Sequence, residues 1–200
     1  LFILLPLAYF NGFIRISDLT SEQESIAKKY GGVYVFDEKL EKEIDKREEE
    51  RDKVNKEILK EVSNIQDKEE QNKQLRLLLQ ERFYDNPKLE RVLSNGKKYY
   101  SRKDNIKIDN YKILNNYEEK LKEFMGKDYD KYENYLSINL GYFYIDNDTI
   151  VPISIGVSTL YTEVTFGLYG DEASGIKFTK ESTQRLIGDN KFYLTDNKFQ

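Results

Sequence analysis

The chain of 200 residues contains no cysteine and no histidine. Without thiols there is no disulfide framework, thiolate nucleophile or thiolate metal site, and without imidazole the commonest general base and metal ligand are missing. What remains open is carboxylate chemistry, serine with lysine, a hard cation on oxygen ligands, or no chemistry at all. Positive charge is not in excess either: 32 basic residues against 36 acidic ones leave a formal charge of −4. Nucleic acid would therefore have to be held by a local basic patch.

Glycine and proline are sparse, at 11 and 3 residues, and neither occurs from Asp37 to Tyr84. Nearly every residue there is a strong helix former, so the spacing predicts one long helix over 37–84, roughly 70 Å at the α-helical rise. At 100° per residue Leu40, Ile44, Val54, Ile58, Val62, Ile65, Leu79 and Phe83 share one sector. The run DKREEERDK, residues 45–53, interrupts the aliphatics, but Arg47 and Arg51 fall in the same sector. Arginine stems can lie along apolar surface while their heads stay wet. In a heptad reading Arg47 and Arg51 are seam positions of a coiled coil and candidate self-association residues. In a 3.6-residue reading the same face packs along its own domain.

Apolar runs are short. Leu1–Phe10 carry no charge, too few residues to span a bilayer and about right for the core of a signal peptide, although no small-x-small cleavage site follows. The expectation for residues 1–20 is an apolar segment derived from a signal or anchor, the alternative being a buried part of the fold.

The remaining helical region, 21–126, is expected to hold a short helix over Ser21–Tyr30 with a Ser21/Glu24 capping box, closed by Gly31 and Gly32. Val33–Phe36 reads as an apolar link. Asn86-Pro87 ends the long helix, a shorter one follows over Lys88–Leu93, and Asn95-Gly96 is a turn. Residues 95–104 interleave four cations with two tyrosines and read as a solvated loop rather than a nucleic-acid patch. An amphipathic helix is expected over about 110–125 with Gly126 as its stop, then a polar linker, KDYDKYENY.

After Leu136 the period changes from 3.6 to 2. Three half-buried strands are expected. With Asn147-Asp148 as a two-residue turn, Tyr144 faces Val151 and Tyr142 faces Ile153. A second turn at Ser158-Thr159 would bring Ile155 opposite Thr162. Pro152 cannot donate to a ladder and argues for a bulge or an unpaired edge. Tyr161, Gly167 and Tyr169 share the face opposite the aliphatics, small and aromatic side chains together, and are candidate partner-binding residues. Ile176–Thr179 is expected as a short strand, 181–187 as a helical turn, and Lys191–Thr195 as a last strand.

These features define an α+β protein: a long N-terminal helix with shorter helices, then a C-terminal antiparallel meander over 136–200 packed on helices. No catalytic constellation, cofactor motif or metal-ligand spacing is present in the sequence. The leading expectation is a non-enzymatic interaction or structural protein, exported or associated with the cell envelope, with a protein partner or a second copy as its ligand and membrane contact only through the N-terminal segment. The alternatives are a carboxylate-dependent enzyme acting on a glycan, with Asp146, Asp148, Asp171 and Glu172 as candidates, and an intracellular assembly component.

Overall fold

The computed structural model describes residues 11–104, 106–108, 112–113, 116–170 and 175–200. Leu1–Phe10, Asp171 and Glu172 lie outside the described residues, and with them the expectation for the N-terminal segment. The class is α+β, with helices concentrated in the first half and strands in the second.

The chain does not divide into a helical half followed by a β half. Two compact units are each assembled from separated segments: one from Leu1–Tyr34, Glu118–Asn139 and Ile155–Gln200, the other from Val35–Tyr117 and Leu140–Ser154. The expected boundaries follow local periodicity, whereas the observed ones follow long-range strand pairing, which local period does not encode.

In the first unit β1 (Asn11–Ser17) leads into α1 (Ser21–Tyr30) and β2 (Gly32–Val35). Thr20, not Ser21, is the N-cap, its hydroxyl accepting from the Gln23 amide while the Gln23 side-chain oxygen accepts from the Thr20 amide. Val33–Phe36 is mostly strand rather than a link. The stretch after Gly126 is also no polar linker. Helix α4 (Asn116–Met125) is followed by α5 (Lys127–Tyr132), whose Tyr129 and Tyr132 are buried and donate to Glu118 and Glu22. Tyrosine counts as polar in a pattern and as core once its hydroxyl has a partner. Leu121, which the expected helix turned inward, is fully buried. The expected start of that helix is corrected: Lys112–Ile113 form a short strand parallel to Thr149–Ile150.

Strands β5 (Leu136–Leu140), β8 (Ser154–Tyr169), β9 (Lys177–Ile187), β10 (Asn190–Thr195) and β11 (Lys198–Phe199) complete a seven-stranded sheet in the order β1-β8-β2-β10-β11, with β5 and β9 also on β8. Its aromatic centre is Tyr34, fully buried, with ring centroids 4.7 Å from Phe192 and 4.9 Å from Phe199.

In the second unit Asp37 caps α2 (Glu38–Val62), its carboxylate accepting from the Leu40 amide. The single helix expected over 37–84 is corrected to a helical hairpin. The helix stops at Val62, residues 63–67 turn, Asp67 caps α3 (Lys68–Leu79), and one π-helical turn closes it at Gln80–Tyr84. The second arm folds back on the first: Arg82 pairs with Glu61 at 2.7 Å and Arg51 lies over Phe83. Ser, Asn and Asp can redirect the chain through side-chain hydrogen bonds without help from glycine or proline. The helix expected over Lys88–Leu93 is a single 3₁₀ turn at Pro87–Leu89, after which Val92 bridges Lys98 across the Asn95-Gly96 turn.

A four-stranded sheet, β3 (Tyr99–Ser101), β6 (Tyr142–Asp146), β7 (Thr149–Pro152) and β4 (Lys112–Ile113), has the order β3-β6-β7-β4. The β6–β7 hairpin has the expected register, Tyr144 opposite Val151, with Asn147 and Asp148 both at positive φ, 46° and 58°. Pro152 is the last residue of β7, where a missing donor ends a ladder at no cost to a central strand. Leu40, Ile44, Leu93, Tyr99 and Ile153 form the core of this unit.

The expected turn at Ser158-Thr159 is absent. β8 runs unbroken through it, Ser158 opposite Ile187 and Thr159 opposite Leu186. The expected pairing of Ile155 with Thr162 is therefore wrong, and so is the helical turn at 181–187, which is strand. What looked like a turn is a change of face: Ile155 and Val157, both buried, lie on one side of β8, while Leu160, Val164 and Phe166 occupy the alternate positions. A strand conceals such a phase change, because successive side chains always alternate.

Candidate interaction surface

The later part of β8 carries β1 on one edge and β9 on the other. β1 pairs Ile14 with Phe166, Arg15 with Thr165, Ile16 with Val164 and Ser17 with Glu163. β9 pairs with the other edge of β8 in unbroken register from Ser158–Ile187 to Phe166–Thr179. Paired residues share a face, which fixes the two sides of this three-stranded segment.

One side carries Ile14, Ile16, Leu160, Val164 and Phe166 on β1 and β8. On β9 it continues as Thr179, Glu181, Thr183, Arg185 and Ile187, all exposed. The other side is more polar. Arg15 meets Glu163 at 3.6 Å, and Gln184 donates to the Ser182 hydroxyl. Tyr161 and Gly167 lie on that side, but the alternation does not carry through to Tyr169, which follows a register shift and pairs with Lys177, a residue of the Thr179 and Glu181 face. Gly167 does not leave room for a visitor, however. A Cβ added there would stand 2.9 Å from the Tyr169 hydroxyl, so the space over Gly167 is filled by Tyr169 of the same strand.

Arg47 and Arg51 belong to the other unit, in a polar cluster that anchors α2. Arg51 pairs with Glu48 at 3.4 Å, donates to the Leu89 carbonyl and places its guanidinium 4.5 Å from the Phe83 ring centroid. Arg47 pairs one turn back with Glu43. Beside them Arg91 makes two forks: Nε and Nη2 to the Glu48 oxygens at 2.8 and 3.0 Å, and Nη1 to both Asp104 oxygens at 2.8 and 3.0 Å. The Tyr99 hydroxyl donates to Glu48 at 2.7 Å. Burial pushes the Glu48 carboxyl up, but hydrogen bonds from Arg91 and Tyr99 and the charges of Arg91 and Arg51 outweigh it and hold the group below its ordinary value. Asp104 is likewise lowered, with the Ser101 hydrogen bonds and Arg91 prevailing over burial. Tyr99 is driven up by burial and by its bond to Glu48.

Each acceptor in that cluster is matched to a donor, and the arrangement ties α2 to residues 89–104 rather than leaving a reactive group. Sequence pattern missed Arg91, Tyr99 and Asp104. For Tyr99 and Asp104 the one signal is the charge-and-tyrosine mixture of residues 95–104, which reads as a solvated loop, whereas Tyr99 is fully buried.

Of the carboxylates considered for glycan chemistry, Asp171 and Glu172 lie outside the described residues. Asp146 pairs with Lys97 at 2.6 Å, and Asp148 sits in the hairpin turn itself. Among the described residues no group of three or more acidic side chains is placed to hold a metal ion, and no helix is long and apolar enough to cross a membrane. Compared with protein families, curated proteins and solved structures, the chain matches none.

Proposed function

We propose that this chain is a non-enzymatic interaction protein whose β1–β8–β9 segment binds a protein partner. The reading is carried by one observation, the concentration of exposed apolar side chains on and beside these strands. Ile16, Leu168, Ile176, Phe178 and Ile187 are 56–73% exposed, and they make up half of the large exposed apolar residues among those described. Scattered singly such residues need no explanation, whereas here Ile16 and Ile187 share one face of the three-stranded segment and Phe178 takes the other, so both faces offer apolar side chains to a partner. On the helical side Arg51, a candidate association residue, is instead engaged by Glu48, Leu89 and Phe83. An exported or envelope setting accompanies the proposal, supported by the uncharged Leu1–Phe10 and the lack of cysteine.

The test is site-specific photocrosslinking in cells, with the probe at Ile16 or Ile176 and a control at Leu77, which is 55% exposed on α3. Discrete adducts at the two sheet positions and none at the control support the reading. Equal labelling at all three, or none, overturns it. Fractionation of the same cells tests the compartment.

A further inference from the structure

Strand β9 is an edge. Among the described residues it pairs with β8 and with no other strand, along 11 residues without proline. An edge of that length offers a row of backbone donors and acceptors to another strand unless charge, proline or a bulge blocks it. Its register with β8 is regular from Thr179 to Ile187, so no bulge turns the edge away there. What governs pairing is then the charge pattern. Glu181 and Arg185 lie on the same face, both exposed, and among the described residues neither has an ion-pair partner.

We infer that β9 is the docking edge for a second copy of this chain, paired antiparallel about a two-fold axis through Thr183. The inference rests on the reading of the β1–β8–β9 segment as a contact surface and names its occupant. A two-fold axis perpendicular to the sheet keeps each side chain on its own face, so the axis must pass through a residue. With the axis at Thr183, Glu181 of each copy stands opposite Arg185 of the other, and Thr179 stands opposite Ile187. Every charge directly opposed is then of opposite sign, and each pair occurs twice, as an isologous contact requires.

Neighbouring registers lack this match. An axis through Glu181 opposes Glu181 to itself and Lys177 to Arg185. An axis through Ser182 or Gln184 creates no opposite-charge pair. The charges that would keep a foreign strand off this edge are therefore self-complementary with the axis at Thr183 and not with it at Glu181, Ser182 or Gln184.

The test is a charge reversal on the full chain, read by sedimentation equilibrium at about 100 µM protein and low salt. The wild-type chain is expected to form a dimer that weakens with added salt. Glu181→Arg and Arg185→Glu are each expected to weaken association more than tenfold, since each places like charges in opposition twice. An equimolar mixture of the two variants is expected to dimerise again, because one copy then offers two cations at these positions and the other two anions. Both substitutions are on exposed side chains, and circular dichroism confirms that each variant folds. A wild-type monomer, variants that dimerise as the wild type does, or a mixture that stays monomeric would each overturn the inference. A monomeric wild type that still crosslinks to another protein through Ile16 removes this dimer while leaving the proposed function standing.

Discussion

The guanidinium carbon of Arg51 rests 4.5 Å from the centre of the Phe83 ring, joining the middle of α2 to the end of the helical segment that follows it. In one straight helix these two residues would stand nearly 50 Å apart. Their contact is the clearest mark of the reversal at residues 63–67, and it explains why a charged residue occupies an otherwise aliphatic stripe: the cation faces an aromatic ring.

The reversal makes Asp67 an N-cap, its carboxylate accepting from the Glu70 amide at 2.8 Å. Asp67→Ala is expected to lower stability by about 1 kcal/mol, read as a shift in the urea midpoint. Inside a continuous helix the same change would raise stability, since alanine has the higher helix propensity. The sign alone separates a hairpin from a rod.

Arg91 holds two carboxylates whose side chains, like its own, are less than one third exposed. Arg91→Met should cost about 2–3 kcal/mol, because Glu48 and Asp104 lose their shared cation while staying partly desolvated. Arg47→Ala, which removes a single pair within one helix, should change stability by no more than about 0.5 kcal/mol. Denaturant titration of both variants gives the comparison, and equal effects would mean that the cluster does not anchor α2.

The same cluster sets an acid limit. Glu48 and Asp104 have lowered values in the folded state, so below their ordinary values of 4.5 and 3.8 the unfolded chain binds protons that the folded chain refuses. Their contribution is fully present above that range and is lost as pH falls through the folded values. Thermal midpoints measured from pH 6 down to pH 2 should fall more steeply for the wild type than for a Glu48→Gln, Asp104→Asn double variant. At the other end, Tyr99 is raised above its ordinary value of 10.0. Its contribution is complete below that pH and declines as pH rises toward the folded value.

Asn147 and Asp148 occupy the left-handed region in a two-residue hairpin, as do Asp196 and Asn197 in the β10–β11 connection. Asp148→Gly should stabilise by about 0.5–1 kcal/mol, because glycine takes this conformation without steric cost and the turn keeps its twist. Asn197→Gly should act in the same direction. A lower melting temperature for either variant would contradict the turn geometry.

Much of this was legible in the residues. Asp37 announced a helix start, Gly126 a stop, and the alternation around Asn147-Asp148 fixed one hairpin to the residue. The placing of Tyr161 and Gly167 on one face also followed from period alone, whereas the register shift before Tyr169 did not. Each of these is a local property, set by backbone conformation and side-chain direction within a few positions. Tertiary structure decided the rest. Whether Ser63 to Asp67 bent the helix depended on the partner available for Arg51. Whether Ser158-Thr159 turned depended on β9 supplying ten paired positions of ladder at long range. Whether Tyr99 was solvent or core depended on Glu48 accepting its proton donor. Pattern specifies which face a side chain takes, and only the assembled fold determines what that face meets.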